Sequence, residues 1–357
     1  MTRDAFDLFG ELIAAPRNKS SRDVGSDAAA TVRSVKQKVS ATHRDKSASA
    51  ALQDIAESLP RDAFFGTSSW SFSGWAGLVY DANYSEQILA RHGLPAYAAH
   101  PLLRMVGIDR TFYAPISEDA FRQYAKQVET VRPDFRFLTK APMLFTGPRL
   151  RSDEGHWRDN EAFLNASHAI SQFVLPATRG LAEHCGPLVF QFPPLGPRFT
   201  KSPIRFADAL AEFLLALPKL SGAAFYAVEV RDPELLTDDY LAALCAGNAT
   251  HCIAIHARMP PAREQARFWR EANALPLVIR WSLHSGFKYE EAKERYAPFN
   301  ALVDEDPDGR AQVAALVGEA SEKSVSSFVV VNNKAEGSAP MSIEALAKLI
   351  AEDRERL

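Results

Sequence analysis

Cysteine is scarce in this chain of 357 residues: only Cys185, Cys245 and Cys252 occur, and none has metal-motif spacing. An odd number without a framework excludes a disulfide scaffold and fits a reducing compartment. Long apolar runs are also missing. The longest are strand-sized, which excludes a membrane-spanning helix. The first residues include Asp4, Asp7 and Glu11 and lack the uninterrupted apolar core of a secretory signal. Nor is one sign of charge in excess. A formal net charge of -3 argues against whole-protein attraction to nucleic acid or an anionic membrane, while leaving local patches open. The 46% apolar and 24% charged residues are ordinary for a globular protein and suffice for one large domain or two smaller ones. The expectation is a soluble, cytoplasmic protein with no membrane partner, its oligomeric state left open.

Aromatic residues are absent from residues 15–50, where eight basic residues face three acidic ones. Such a segment cannot bury enough apolar area to offset the entropy of ordering, so it reads as a flexible basic arm. A short amphipathic stretch precedes it, with Phe6, Leu8, Phe9, Leu12 and Ile13. Residues 1–61 are therefore expected as a tail, either simply solvated or reaching a partner such as nucleic acid. Residues 62–357 are expected as the folded domain.

In that domain short β-rich runs alternate with helical segments. The strands are expected at Phe64–Ser68, Leu103–Ile108, Phe135–Lys140, Leu188–Phe192, Phe225–Val230, His251–His256, Leu277–Trp281 and Phe328–Val331. Helices are expected in stretches such as Glu118–Glu129, Asn160–Phe173, Ile204–Leu217, Glu234–Ala246 and Ile343–Ala351, with Ser117 and Ser342 among the N-caps. Eight strands alternating with helices predict an α/β fold, a (β/α)8 TIM-like barrel preceded by the flexible N-terminal tail. A doubly wound open sheet is the competing architecture. It lacks support because Gly66-Thr67-Ser68-Ser69-Trp70 does not carry the spacing of a glycine-rich phosphate loop.

Barrels of this kind place chemistry at the carboxyl ends of their strands. Each expected strand ends in a polar or aromatic group: Trp70, Asp109 and Tyr113, Lys140, Gln191, Glu229 and Arg231, His256, Arg280, Trp281 and His284, and finally Asn332, Asn333 and Lys334. Lys140, Arg231 and Arg280 would form a cationic floor for phosphate or carboxylate. Glu229 is the leading candidate for proton transfer, with His284 or Asp109 in the opposite role, and Lys140 has an alternative use as a Schiff-base nucleophile. Trp70, Tyr113 and Trp281 would stack on a ring, while Asn332 and Asn333 orient hydroxyls or amides. No cofactor is expected. A divalent metal is the weaker alternative, since no HxH or HExxH spacing supports it, and no GxSxG elbow marks a serine triad.

Six segments occur in order: Gly66-Thr67-Ser68-Ser69-Trp70, Thr111-Phe112-Tyr113, Phe135 through Lys140, Gly186 through Pro194, Val228-Glu229-Val230-Arg231, and Asn332-Asn333 through Ala339-Pro340. Together, over residues 62–351, they resemble the domain-of-unknown-function 72 family. The resemblance implies a (β/α)8 barrel with polar residues gathered at one mouth, and it supplies no reaction. Departures are visible. Val106-Gly107-Ile108-Asp109 stands where the family's second strand usually reads Val-Glu-Ile-Asn. Arg280-Trp281-Ser282-Leu283-His284 replaces its Arg-Leu-His-Gly, and Asp232 stands where a histidine is frequent. The functional expectation is an enzyme, a hydrolase or lyase, acting on a small anionic substrate by general acid/base chemistry at the mouth. The alternatives are a nucleic-acid-binding or -processing barrel and a barrel that binds ligand without catalysis.

Overall fold

Strand-length apolar runs close into a ring. In the computed structural model, which describes residues 39–42, 46–151, 155–272, 275–283 and 289–356, eight parallel strands form a closed barrel. They are β1 (Ala63–Thr67), β2 (Met105–Ile108), β3 (Arg136–Lys140), β4 (Cys185–Gln191), β5 (Phe225–Glu229), β6 (Ala249–Ile255), β7 (Leu277–Trp281) and β8 (Ser327–Val331). Each pairs with its neighbours in sequence, and β1 pairs with β8 to close the ring. All eight expected strands are present, shifted by three residues or fewer at either end. A two-stranded antiparallel ribbon, Arg149–Arg151 with Trp157–Asp159, projects from the connection between β3 and β4.

Alternation along each strand sorts side chains into two cores. Phe64, Met105, Leu138, Val189, Phe225, Ala227, Cys252, Val278, Phe328 and Val330 fill the barrel interior. Their neighbours Phe65, Val106, Phe137, Phe190, Val228, Ile253, Ile279 and Val329 pack against the surrounding helices. At the amino-terminal end of the barrel Phe64 stacks on Phe328, with ring centres 5.0 Å apart, and the Arg104 and Arg136 guanidinium groups lie 4.5 and 5.7 Å from the Phe64 ring. That end is plugged by aromatic rings capped with cations.

Several helices differ from expectation for local reasons. Asn160 folds back to bond the Leu144 and Gly147 carbonyls, and Leu164 adopts a positive φ of 53°. Helical turns therefore begin only at Ala166, capped by Asn165, and run to Leu181. Ser342 is not a cap: the last helix already starts at Ala339, and Ser342 is buried within it. The 16-residue helix Pro307–Glu322 was not expected, although Asp306 caps it and Pro307 occupies its first position, both standard start signals. Residues 46–58, placed in the tail by composition, form a helix that packs on Ala339–Glu355 and buries Leu52. The earlier part of the expected basic arm, residues 1–38, lies outside the described residues. Among the described residues no helix is long and apolar enough to cross a membrane.

Gly66 sits where β1 runs close against β2, paired with Met105. A Cβ there would lie 1.9 Å from the Met105 carbonyl oxygen, a backbone atom that cannot swing aside. Gly66→Ala is expected to destabilise the fold by about 3 kcal/mol, as overpacking against fixed backbone does. Urea denaturation checks this, and an unchanged midpoint would contradict the close approach.

Candidate functional site

The polar mouth follows from the same alternation that builds the apolar interior. Two residues beyond Gly107, Leu138, Val189, Ala227, Val278 and Val330 stand Asp109, Lys140, Gln191, Glu229, Arg280 and Asn332. One layer of the barrel axis is thus apolar, and the layer above it, at the carboxyl ends, is charged. Arg280 is its organiser. Its strand partner on β6 is Ala254, whose small side chain lets the guanidinium pass across to β5. Nη1 donates to Glu229 Oε2 at 2.7 Å and to Gln191 Oε1 at 2.9 Å, while Nη2 reaches Asp109 Oδ2 at 3.2 Å. Arg231 Nη2 lies 2.5 Å from Glu229 Oε1, an ion contact without hydrogen-bond alignment.

Glu229 is fully buried, and Arg231 and Arg280 are only 6% and 5% exposed. Burial by itself would raise the Glu229 carboxyl. The charges of Arg231, Arg280 and Lys140 overrule it and hold the group at about 2. Arg280 is likewise held charged: burial opposes its charge, but Glu229 and Asp109 more than restore it. Three guanidinium nitrogens, Arg231 Nε and Nη1 and Arg280 Nε, have no hydrogen-bond partner among the described residues. Lys140 is placed from β2: Thr111 Oγ1 donates to the Lys140 carbonyl at 2.6 Å, and Lys140 Nζ lies 3.7 Å from the Phe112 ring centre. His256, just beyond β6, is lowered to about 4 by burial and by the Arg231 charge, and is therefore neutral at pH 7.

The profile described as "Protein of unknown function DUF72" matches residues 64–357. The chain belongs to the DUF72 family. It is similar to a solved DUF72 family protein from Enterococcus faecalis, at 17% identity and a TM-score of 0.55, covering 81% of this chain and 95% of that one. A second, from Thermotoga maritima, gives 19% identity and a TM-score of 0.52 over 81% and 98% of the two chains. At such identities the likeness is one of fold. No protein with a curated description matches the chain.

The segments that carry the DUF72 resemblance divide between site and scaffold. Lys140, Gln191, Glu229, Arg231, Arg280 and Asp109 converge. Asn332 sits at the rim, its Nδ2 donating to Ser68 Oγ at 2.9 Å and its Oδ1 receiving the Lys334 backbone N–H at 3.0 Å. Tyr113 is 46% exposed and packs edge-on against Phe112. Other candidates are not brought to the mouth. Trp281 lies one residue from Arg280 and so faces the helical layer, where it is buried. Trp70 is buried against Tyr124 and donates its indole N–H to the Leu89 carbonyl. Asn333 Oδ1 receives the Ala339 N–H at 2.8 Å and the Trp75 indole N–H at 3.2 Å, which fixes the start of the last helix. His284 lies outside the described residues.

Two departures from the DUF72 pattern have structural counterparts. A Cβ on Gly107 would come within 3.2 Å of Ser68 Cα, so glycine suits that position. Asp232 Oδ2 accepts the Leu195 N–H at 2.6 Å and ties the loop after β4 to that after β5. Phe112 and Ala254 are site-shaping residues that inspection of polar strand ends did not select. The intervals Phe112–Lys140 and Ala254–Arg280 carry no local signal, because the contacts are made across strands. Among the described residues no group of three or more His, Cys, Asp or Glu is gathered to hold a metal ion.

Glu229 titrates at about 2 in the fold against an ordinary 4.5, so the unfolded chain takes up its proton first as pH falls. Its contribution to stability is whole above pH 4.5 and is lost as pH falls through about 2. Removing one member of a buried ion cluster leaves the others uncompensated. Glu229→Gln is expected to cost on the order of 3–5 kcal/mol at neutral pH. Urea titrations at several pH values should also show the variant losing the acid-dependent slope. An unaltered slope would contradict the cluster's linkage.

Proposed function

We propose that the barrel mouth binds a small phosphate- or carboxylate-bearing molecule and acts on it by general acid/base chemistry. The observation that carries this reading is the convergence of Arg231 and Arg280 at the carboxyl end of the barrel, where they keep 6% and 5% of their surface exposed. Both guanidinium groups are held by Glu229, Arg280 also meets Asp109, and the Lys140 charge acts on the same Glu229 carboxylate. A bound oxyanion would accept from the guanidinium N–H groups at that exposed edge, with arginine offering paired donors.

The two carboxylates support different roles. Glu229 is ionised, engaged at both oxygens and held at about 2, which makes it a weak base. Its function in this reading is to hold Arg231 and Arg280 in place. Asp109 is 18% exposed in its side chain and meets Arg280 at 3.2 Å, so it is the carboxylate a ligand would reach, and proton transfer is assigned to it. A nucleic-acid ligand finds less support: of the three rings expected to stack on a sugar or base, Trp70 and Trp281 are buried away from the mouth, and Tyr113 is the exposed one.

The experiment is calorimetric and thermal-shift titration with inorganic phosphate, sulfate and citrate at millimolar concentrations. Binding is expected to raise the melting temperature by mass action. Arg231→Gln should weaken phosphate at least about tenfold, the scale of one lost charge-assisted contact. Asp109→Asn should keep anion binding and abolish turnover of any substrate found. No response to any of the three anions, or full activity in Asp109→Asn, would contradict this assignment.

A further inference from the structure

Beside the ion cluster a concavity of about 570 Å³ opens between the loop after β6 and the start of the helix Pro307–Glu322. Its volume falls within the ~300–1,000 Å³ typical of small-molecule sites. His256 belongs to both places. It borders the concavity, and it stands two residues beyond Ala254, the strand partner of Arg280, and so on the same face of β6. The backbone N–H of Arg258 donates to His256 Nδ1 at 3.3 Å, so the proton of the neutral ring resides on Nε2.

The wall of this concavity is built and held. Gln265 is fully buried; its Nε2 donates to the Ala254 carbonyl at 2.9 Å and the Pro260 carbonyl at 2.6 Å, and its Oε1 accepts the Ala254 N–H at 3.0 Å. One side chain thus clamps the loop to the strand that faces Arg280. The lining has two characters. Ile255, Met259 and Pro260 present apolar surface, and Asp308 presents a carboxylate and Gln312 its amide nitrogen, the Gln312 and Asp306 oxygens Oε1 and Oδ1 being engaged by the Arg263 and Gly309 N–H groups. A cyclic polyol has this duality, with a C–H face that packs on apolar groups and hydroxyls that donate to carboxylates. A nucleobase does not fit as well, because no Phe, Tyr or Trp lines the space to stack upon.

We propose that the concavity holds the hydroxylated body of an anionic monosaccharide whose charged group rests on Arg231 and Arg280, with His256 Nε2 donating a hydrogen bond where the two halves meet. This rests on the anion reading of the mouth and adds the substrate class to it. The ligand is defined by its chemistry, one ring of hydroxyls carrying one phosphate or carboxylate.

The test compares inorganic phosphate, glucose, glucose 6-phosphate, ribose 5-phosphate and glucuronate by calorimetry on the full chain. At least one anionic sugar is expected to bind about tenfold or more tightly than inorganic phosphate, the equivalent of two or three added hydrogen bonds. Glucose alone should bind weakly, and the phosphate and glucuronate arms separate the two kinds of charged group. Met259→Trp, which fills the space, should remove the sugar's advantage while inorganic phosphate binds as before. Asp308→Asn, at an exposed position, should lower the advantage several-fold and serves as the second variant if Met259→Trp also loses phosphate. Phosphate that binds with no anionic sugar exceeding it, or an advantage untouched by either variant, would overturn the sugar half and leave the anion site standing. Failure of every anion, phosphate included, would overturn both.

Discussion

The ion pair between Arg280 and Glu229, buried at the carboxyl end of the barrel, sets the terms for everything around it. Charges removed from water cost several kcal/mol each unless they are matched. The barrel matches them by geometry. Arg280 reaches Glu229 across Ala254, whose one-carbon side chain on the intervening strand leaves the path open. Gln191 and Asp109 complete the coordination of the guanidinium, and Arg231 closes on the other carboxylate oxygen. A one-residue slip of any of these strands would turn its charge into the helical layer.

Much of this was legible before the fold was known, for a simple reason. Strands buried on both faces read as short apolar runs, so Phe328–Val331 and Leu277–Trp281 stood out without help from periodicity. The polar residue that ends each run then identified the mouth. Facing was harder to read. Arg280 and Trp281 are adjacent, both at a strand end, and only strand parity separates the one inside the barrel from the one outside. Trp70 and Asn333 were drawn to the site by composition, whereas their polar atoms are consumed by the Leu89 carbonyl and the Ala339 N–H. Helix boundaries suffered where a side chain competed with the backbone, as Asn160 does ahead of Ala166.

The ordered segments shared with the DUF72 family gain distinct physical meanings. Thr111 and Phe112 contribute no chemistry of their own; a hydroxyl on the Lys140 carbonyl and a ring beneath its ammonium keep that lysine where it is. The pair of asparagines also splits, Asn332 toward the rim and Asn333 toward the last helix. Glu229 separates in the same way from the role its position invited. A carboxylate gripped by two arginines holds positive charge in place, and in the proposed function proton transfer is accordingly assigned to the partly exposed Asp109.

The stacked Phe64 and Phe328 rings, with Arg104 and Arg136 folded over them, have a bearing on traffic as well as on packing. They make the barrel a cul-de-sac. A ligand of the proposed kind would then have to leave by the carboxyl-end opening through which it came, an incoming molecule competing with a departing one for that doorway.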